Sequence, residues 1–436
     1  MAETQDVFNV TGLNGKKTLS GRIAVAGAKN HILPLLASAV LFKTPVSFSN
    51  VPDITDIEHM TTLLTHAGAR VVRNGDMVVV HPEKITNGSF DTDTAHKLRA
   101  SIILTGPLLS RLGAISFPSP GGCVIGKRPI DLFLDGYTSM GARVADHNGD
   151  SFTITTEKGL IGTEIFFKVQ SVTATETLLM SAILAHGTTF LKNVALEPEV
   201  TELAHFLKSC GARIEGIGTM TLTIRGTGGE LLSYTASEPY RVIPDRIEAG
   251  SYMVLGALCA ERLEITNCNP AHLELPIRIL QSCGVPIETT DSTIRIVNNT
   301  KENKEFICSS LRTHEYPGFP TDLQAPFTVF FTQTNGESIV EEMIFEGRLG
   351  YTKDLVYMGA TIDIAHPHRA VVRGPCKLTG RELYTPDLRA GLAYIIAACV
   401  AKGTSRVHNV HFIDRGYEQC EEKLRAIGVS IERMAQ

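Results

Sequence analysis

The segment PGGCVIGKRPID, residues 120–131, combines a thiol with two cations in a glycine-rich loop. Cys123 follows two glycines, and Lys127 and Arg128 come within five positions of it. Nearby cations favour a thiolate and lower the thiol pKa, so Cys123 has the surroundings of a catalytic cysteine. Free cysteines are usually buried and inert, and the residues alone leave both interpretations open. The other eight cysteines are predicted to be of the inert kind.

Charged residues also stand where apolar segments begin. Lys29 precedes HILPLLASAVLF, and Arg99 and Arg389 precede two further apolar runs. A helix N-terminus attracts anions, and arginine binds carboxylate or phosphate through two parallel hydrogen bonds. Taken singly, each cation is more typical of a solvated helix start or a surface ion pair. Asp322 and Asp387 each follow Thr or Pro before an apolar run, which is the pattern of a helix N-cap.

Bulk composition sets the class of protein. A chain of 436 residues exceeds what one hydrophobic core supports, so two domains are expected. The net charge of -5 gives no electrostatic signature for nucleic acid or for an anionic membrane. The chain shows no secretory signal and no membrane-spanning run, so a cytoplasmic enzyme is predicted. Without a C-x-x-C pair or a nucleotide-binding glycine loop, no metal or cofactor is predicted, and the HPH at residues 366–368 is interpreted as a solvated turn.

A period of about 72 residues runs along the chain. Its mark is a helix that ends at a glycine and turns directly into a strand, at Gly68, Gly141, Gly211, Gly284, Gly359 and Gly428. Four units also place an asparagine 17 to 19 residues before that glycine, at Asn50, Asn193, Asn267 and Asn409. The constant spacing predicts one helix of fixed length between the two positions.

Each unit also contains a helix that is apolar on nearly every side, which is typical of helices buried at a centre. We therefore predict an α/β protein of two domains, each an inside-out α/β barrel of three repeats with helices inside and sheets outside. The first domain is predicted to span 29–236. The second is predicted to be discontinuous, with 1–28 joined to 237–436.

Several motifs in order carry a family resemblance. AGAKNHILPLLASAVL, LRASIILTGPLL, PGGCVIGKRPIDL, YPGFPTDLQAPF, TPDLRAGLAYIIAACVAKG and FIDRGYEQCEEKLRAIG together resemble the UDP-N-acetylglucosamine 1-carboxyvinyltransferase family of enolpyruvyl transferases. The likeness extends from about Asn9 to Arg433. The related 5-enolpyruvylshikimate-3-phosphate synthases share the fold, but their Gly-Ser-Lys-Ser and Gly-Asn-Ala-Gly-Thr segments are not found here.

The resemblance implies transfer of the enolpyruvyl group from phosphoenolpyruvate to the 3-hydroxyl of UDP-N-acetylglucosamine, with loss of phosphate. The route implied is addition to a tetrahedral ketal followed by elimination, at the first committed step of peptidoglycan precursor synthesis. Two alternatives stay open: an enolpyruvyl transferase acting on another hydroxyl, and a non-catalytic paralogue that binds the sugar nucleotide.

The same resemblance assigns roles to residues. It implies a catalytic set of Cys123, Asp322, Lys29 and Arg389, with Asp322 as the proton acceptor and Cys123 as the position alkylated by fosfomycin. Phosphoenolpyruvate is implied to bind Lys29, Asn30, Arg128 and Arg389. UDP-N-acetylglucosamine is implied to bind Asn30, Arg99, Arg128, Pro129, Ile130, Asp131, Leu132, Ser171, Val172, Asp322 and Ile344.

Three positions depart from the family pattern. Phe133 stands where many relatives carry histidine, Thr173 replaces a glycine, and Val169 lies near a position where some relatives carry lysine. All three fall on the side implied to hold the sugar nucleotide. The departures therefore bear on acceptor choice more than on use of phosphoenolpyruvate.

Overall fold

The protein has a mixed α/β fold. Its structure is a computed structural model that describes residues 6–119, 130–298 and 305–435. The described residues divide into two compact units. One unit consists of 27–119 and 130–243, and is called unit A below. The other consists of 6–26, 244–298 and 305–435, and is called unit B.

The described strands are short, as is usual for alternating β and α elements. In chain order they are β1 Val7–Thr11, β2 Leu19–Ala24, β3 Val46–Ser49, β4 Arg70–Asn74, β5 Met77–His81, β6 Ala114–Pro118, β7 Arg143–His147, β8 Ser151–Thr155, β9 Glu164–Phe166, β10 Thr188–Lys192, β11 Arg213–Glu215, β12 Thr221–Arg225, β13 Tyr240–Arg241, β14 Ala260–Thr266, β15 Ile287–Thr289, β16 Thr293–Val297, β17 Phe306–Ile307, β18 Ser310–Arg312, β19 Thr334–Glu341, β20 Thr361–His366, β21 Arg369–Gly374, β22 Glu382–Tyr384, β23 Thr404–His408 and β24 Ser430–Met434.

The helices alternate with these strands. They are α1 Lys29–Ser38, α2 Thr55–Ala67, α3 Thr92–Lys97, α4 Thr105–Leu112, α5 Asp131–Ser139, α6 Val172–Ile183, α7 Pro198–Ser209, α8 Arg246–Cys259, α9 Glu274–Ser282, α10 Gln324–Phe331, α11 Thr352–Met358, α12 Leu388–Val400, α13 His411–Asp414 and α14 Cys420–Ala426. Short 3₁₀ helices occupy Ala39–Leu41, Arg99–Leu104, Pro270–Leu273, Thr321–Leu323 and Arg348–Tyr351.

The described strands form six separate sheets, three in each unit. Unit A contains the strand orders β13-β3-β5-β4, β6-β8-β7 and β11-β12-β10-β9. Unit B contains β15-β16-β14-β2, β22-β23-β1-β24 and β17-β19-β21-β20, with β18 also paired to β19. Each sheet is open and keeps two edge strands, so hydrogen bonding between the described strands closes no β-barrel.

Backbone conformation confirms the predicted turn positions. The prediction of one helix of fixed length between each asparagine and its glycine is wrong, because α2, α7 and α9 have 13, 12 and 9 residues and the fourth interval holds two helices, α13 and α14. Each of the six repeat glycines lies one or two residues after a helix and has a positive φ, from 88° at Gly141 to 109° at Gly68 and Gly359. The four repeat asparagines each follow a strand directly and also have positive φ, between 51° and 60°. Glycine and asparagine are the residues that enter this left-handed region at least cost, which is why they recur there.

Each repeat asparagine also ties two parallel strands together. The side-chain amide of Asn193, after β10, donates a 2.9 Å hydrogen bond to the carbonyl of Phe167, the residue after β9. Asn50, Asn267 and Asn409 make the same bond to the carbonyls of Val242, Val25 and Thr385. The repeated residue therefore closes the end of each parallel pair.

The helices predicted to be central are buried. Every residue of α8 and α10, and all but the first residue of α12, is buried within unit B. In unit A, α1 and α6 are buried along nearly their whole length, and α4 packs beside α6. Each unit has its own hydrophobic core built on these helices. No helix in the described part of the chain is long and apolar enough to cross a membrane.

The cysteines only partly match the expectation of eight buried thiols. Five are buried, but Cys210, Cys308 and Cys376 are half-exposed. These three lie outside helices and strands, but so do Cys268 and Cys283, which are buried, so position relative to an element does not explain the difference. None of the eight described cysteines forms a disulfide.

Candidate active site

Asp322 lies between two buried arginines of unit B. Its Oδ1 accepts a 2.8 Å hydrogen bond from Nη2 of Arg348, and its Oδ2 accepts a 2.9 Å bond from Nε of Arg389. The arginine side chains are 5% and 4% exposed, whereas the Asp322 side chain is 26% exposed. Two buried cations thus hold one carboxylate that remains accessible to solvent.

Packing of the neighbouring residue fixes the backbone of Asp322. Asp322 sits in the 3₁₀ helix Thr321–Leu323, directly before α10. Leu323 is fully buried against Gly250 of α8, where a Cβ on residue 250 would lie 2.5 Å from the leucine Cδ1. Only a glycine leaves room for this approach, which keeps the 3₁₀ helix close to α8.

Asp322 and Asp387 look alike in sequence but do different things. Asp387 is the N-cap of α12, since its Oδ1 accepts hydrogen bonds from the backbone N–H groups of Arg389 and Ala390 at 2.8 and 3.1 Å. Asp322 makes no such cap, because both of its carboxylate oxygens bind arginine. The capping interpretation is confirmed for Asp387 and wrong for Asp322.

Arg389 has a second partner in Tyr417. Its Nη1 donates a 3.2 Å hydrogen bond to the Tyr417 hydroxyl, and the guanidinium carbon lies 5.5 Å from the centre of the tyrosine ring. Tyr417 is fully buried. The guanidinium is therefore held from two sides, by a carboxylate and by an aromatic ring, and its orientation is set before any ligand arrives.

These contacts fix the charges at the site. Burial alone would raise the pKa of Asp322, but the charges of Arg389 and Arg348 outweigh burial and hold that pKa well below its usual range. Burial lowers the pKa of Arg389, yet Tyr417 and Asp322 oppose it and the net shift is upward. Burial raises the pKa of Tyr417 to about 12, against the opposing effect of Arg389. At neutral pH the site therefore holds an ionised carboxylate between two guanidinium cations.

In unit A, Lys29 forms a buried ion pair. It is the first residue of α1, is 8% exposed, and places its Nζ 2.5 Å from Oδ2 of Asp56, in the first turn of α2. Asp56 is 1% exposed. Buried ions need a partner, so the pair explains how a lysine is kept inside the protein at the start of an apolar helix.

The other predicted residues of unit A lie near helix starts. Asn30 is half-buried as the second residue of α1, and Arg99 is half-buried as the first residue of its 3₁₀ helix. Ser171 caps α6, where its Oγ accepts a 3.2 Å bond from the N–H of Ala174, and Val172 follows as the first helical residue. These side chains are partly accessible, as a binding role requires.

The segment Ile130 to Leu132 begins α5. Ile130 is its N-cap and half-buried, Asp131 is exposed, and Leu132 is half-buried. Leu132 borders a surface groove of about 360 Å³ that is also lined by Gly136 and Glu164–Lys168. The groove therefore lies beside the described part of the predicted nucleotide segment.

The three departures differ in their exposure. Phe133 is 6% exposed and packs in the core of unit A, so it does not stand in for a solvent-facing histidine. Thr173 is half-buried in the first turn of α6, and Val169 is 61% exposed. Of the three, Thr173 and Val169 are accessible to a ligand.

Cys123, Arg128 and Pro129 lie outside the described residues. Their predicted roles remain predictions from the sequence. Ile344 of unit B is half-buried and follows β19 by three positions. In the described ranges no group of three or more His, Cys, Asp or Glu side chains could hold a metal. His366 is the last residue of β20, and His368 lies in the turn that follows.

Sequence reasoning missed four residues of these clusters. Arg348, Tyr417, Asp56 and the fully buried Glu342 carry no local pattern that distinguishes them from surface polar residues. One signal was present: Arg348 and Glu342 flank Ile344, so the segment predicted to contact the sugar nucleotide was already charged on both sides. Tyr417 lies in the quoted motif FIDRGYEQCEEKLRAIG, but the resemblance assigned no role to it or to Asp56.

Comparison with known proteins places the chain in a family. The family model described as EPSP synthase (3-phosphoshikimate 1-carboxyvinyltransferase) matches residues 13–424. A UDP-N-acetylglucosamine 1-carboxyvinyltransferase from Campylobacter lari is 40% identical over 422 residues, which cover 97% of this chain and 98% of the relative. One from Nitratiruptor sp. is 40% identical over 425 residues, which cover 97% and 99%.

Solved structures share the fold. The enolpyruvyl transferase NikO from Streptomyces tendae superposes with a TM-score of 0.87 at 24% identity, covering 99% of this chain and 100% of that one. EPSP synthase from Acinetobacter baumannii superposes with a TM-score of 0.71 at 16% identity, covering 98% and 100%. With a family match over almost the whole chain and relatives at 40% identity, this chain belongs to the EPSP synthase family of enolpyruvyl transferases.

Proposed function

We propose that the chain transfers the enolpyruvyl group of phosphoenolpyruvate to the 3-hydroxyl of UDP-N-acetylglucosamine and releases phosphate, the first committed step of peptidoglycan precursor synthesis. The observation that carries this proposal is 40% identity, over nearly the full length of both chains, to relatives named UDP-N-acetylglucosamine 1-carboxyvinyltransferase. The charged site of unit B supports it, since the reaction needs cations for two anionic groups and a carboxylate for a proton.

The proposed chemistry proceeds by addition and elimination. The sugar oxygen bonds to C2 of phosphoenolpyruvate while its proton passes to Asp322, and the methylene carbon gains a proton to give a tetrahedral ketal. The methyl group formed in this step then loses a proton while phosphate leaves C2, and the carbon–carbon double bond is restored. By resemblance to the family, Cys123 is proposed either to donate the proton to the methylene carbon or to serve product release.

The arginines of unit B suggest how Asp322 is made basic. Its pKa is depressed, which makes it a weak proton acceptor while both guanidinium groups hold it. Arg389 is one of the residues proposed to bind phosphoenolpyruvate, with Lys29, Asn30 and Arg128. An anionic group that shares the Arg389 guanidinium would weaken its hold on Asp322 and raise the pKa of the carboxyl. Donor binding would thus prepare the base.

The acceptor is proposed, by resemblance to the family, to bind a set of eleven residues. They are Asn30, Arg99, Arg128, Pro129, Ile130, Asp131, Leu132, Ser171, Val172, Asp322 and Ile344. The partial exposure of the described members supports this assignment. The second candidate function is enolpyruvyl transfer to a different hydroxyl acceptor. Two residues favour it, Thr173 and Val169, because both are accessible and both depart from the family pattern.

One assay separates these candidates. Phosphate release from phosphoenolpyruvate is measured with UDP-N-acetylglucosamine, with shikimate 3-phosphate, and with neither. We expect release only with the sugar nucleotide. Release only with shikimate 3-phosphate would assign another acceptor, and no release with any acceptor would leave the non-catalytic paralogue.

The thiol is tested separately with fosfomycin. Mass spectrometry of the treated protein should show one added inhibitor at Cys123, and Cys123→Asp should remove it. Burial raises the pKa of Cys259 to about 12 and of Cys268 to about 11, so these thiols stay protonated and serve as internal controls. A wild-type enzyme that stays fully active in fosfomycin would contradict the proposed environment of Cys123.

We further propose that the six sheets correspond to six repeats of about 72 residues with central helices, as the sequence period predicts. The support is one sheet per predicted unit and the recurrence of the glycine and asparagine turns. The domain limits of 29–236 and of 1–28 with 237–436 remain predictions. So do the cytoplasmic location and the lack of nucleic-acid and membrane partners.

A further inference from the structure

We propose that Glu342 is a positioning residue that holds Asp322 and the segment around Ile344 in their working geometry. The inference rests on the proposed function, in which Asp322 accepts the sugar proton. It concerns a buried carboxylate that no motif pointed to and that does not itself reach the solvent-accessible part of the site.

Glu342 is fully buried and accepts four hydrogen bonds. Its Oε1 accepts from the Thr313 hydroxyl at 3.0 Å and from the backbone N–H groups of Ile344 and Phe345 at 2.8 and 3.0 Å. Its Oε2 accepts from the Thr321 hydroxyl at 2.8 Å. One oxygen therefore shapes the backbone at Ile344, and the other reaches the residue next to Asp322.

The contact with Thr321 continues to Asp322. The Thr321 hydroxyl donates its proton to Glu342, so its lone pairs face Arg348, whose Nη1 donates to it at 2.9 Å. The Nη2 of the same guanidinium donates to Oδ1 of Asp322 at 2.8 Å. The planar guanidinium thus spans a hydroxyl and a carboxylate, and a rotation at one end moves the other.

The repeat architecture shows that a carboxylate is not needed to join strands here. Glu342 follows β19 directly, and Thr313 follows the parallel strand β18, so the two occupy the places of a repeat asparagine and its partner carbonyl. In four other sheets a neutral asparagine makes this link through one amide group, as Asn193 does. Of these five described residues, Glu342 alone is a carboxylate with a second oxygen, and that oxygen binds Thr321.

Charge supports the same interpretation. A fully buried carboxylate is costly unless hydrogen bonds and a nearby cation compensate it. Glu342, Arg348, Asp322 and Arg389 alternate in sign along the hydrogen-bonded path and sum to zero. Replacing Glu342 by a neutral residue leaves two cations with one carboxylate. The attraction that Glu342 exerts on the Arg348 guanidinium beside Thr321 is then lost.

The test uses the full chain and four variants near the site. Glu342→Gln keeps the shape of the side chain but removes its charge. Thr321→Val removes the hydroxyl, Thr321→Ser retains it, and the fourth variant combines Glu342→Gln with Thr321→Val. Glu341→Gln is the matched control, because Glu341 is the preceding residue, its side chain is 35% exposed, and its carboxylate lies 4.0 Å from Nε of Arg312 on the surface. The kcat and the KM for each substrate are measured on samples shown to be folded by circular dichroism.

We expect Glu342→Gln and Thr321→Val each to lower kcat about tenfold, the effect of losing about 1.4 kcal/mol of transition-state stabilisation. The double variant should also lose about tenfold rather than a hundredfold, because both changes break one path. Thr321→Ser and Glu341→Gln should stay within about twofold of wild type. A role limited to stability would leave kcat of the folded variants unchanged.

Each other outcome is decisive. A folded Glu342→Gln protein with wild-type kcat would overturn the positioning role, and so would a hundredfold loss of kcat in the double variant. In both cases turnover by the wild-type protein would still support the proposed function. If wild type itself released no phosphate, the proposed function would fail, and the positioning role with it. If Glu342→Gln did not fold, Thr321→Val decides alone: a tenfold loss restored by Thr321→Ser supports the role, and wild-type kcat refutes it.

Discussion

Asp322→Asn removes the one anion that two buried arginines share. Arg348 and Arg389 would then face each other across a neutral amide. Among the described residues, the hydroxyls of Thr321 and Tyr417 would remain as hydrogen-bond acceptors for their side chains. The change keeps the shape of the side chain, so the packing of Leu323 against Gly250 is preserved. The experiment therefore isolates the charge.

The structure gives the size of the effect. Two unit charges about 4 Å apart attract by about 4 kcal/mol at an effective dielectric constant of about 20, and desolvation offsets part of this. Removing one partner of a buried pair costs about 3–5 kcal/mol. Because the Asp322 side chain is 26% exposed, we expect the low end, about 3 kcal/mol in the free energy of unfolding. Loss of a proton acceptor should also lower kcat about 10²- to 10⁴-fold.

The pH dependence has a definite sign. The pKa of Asp322 is depressed in the folded state and is about 3.9 in the unfolded chain. Below about pH 4 the unfolded chain therefore binds more protons, and the stability due to Asp322 falls as pH falls, by at most about 1.4 kcal/mol per pH unit. The advantage of wild type over Asp322→Asn should be constant from pH 7 to about 5 and shrink below about pH 4.

Urea unfolding followed by far-ultraviolet circular dichroism measures this, since the chain has no tryptophan. Glu337→Gln is the control, because it removes an exposed carboxylate beside Arg373 and should change stability by less than about 1 kcal/mol. Equal stability of wild type and Asp322→Asn at pH 7 would refute the electrostatic account. So would an advantage that grew as the pH fell.

Two further changes test other parts of the molecule. Lys29→Met should raise the KM for phosphoenolpyruvate at least tenfold and destabilise the fold by about 3 kcal/mol, because it removes the cation beside buried Asp56. Adding Asp56→Leu should restore the stability but not the KM. A restored KM in the double variant would assign Lys29 a purely structural role. Asn193→Ala should lower the free energy of unfolding by about 2 kcal/mol, because the hydrogen bond to Phe167 is lost and alanine is strained at a φ of 60°. Asn193→Gly should lose only the hydrogen bond, which lowers the free energy of unfolding by about 1 kcal/mol. Equal losses for the two variants in urea unfolding would show that backbone strain contributes nothing.

Local features of the fold were predictable because their causes are local. A helix that ends and turns into a strand needs a left-handed residue, and glycine or asparagine at Gly68 or Asn193 meets that need wherever the rest of the chain lies. Apolar residues on every side of a segment likewise predict a buried helix, as in α8 and α12.

The site was predictable only in part. Family motifs pointed to Asp322, Arg389 and Lys29, and the structure gives each of them a charged partner. They could not reveal that Asp387 caps a helix while Asp322 binds two arginines, because both aspartates follow Thr or Pro and precede Leu and an apolar run. Nor could they reveal Glu342, whose burial depends on strands β18 and β19 lying side by side.

The sequence by itself thus determined the turn positions and the buried helices, since steric limits and hydrophobic periodicity act over a few residues. Only the tertiary structure decided which charges meet. Arg348 and Arg389 are 26 and 67 positions from Asp322, yet both lie within hydrogen-bonding distance of its carboxylate. Electrostatic energy depends on distance through space rather than along the chain, so the ionisation of this carboxylate is a property of the folded protein.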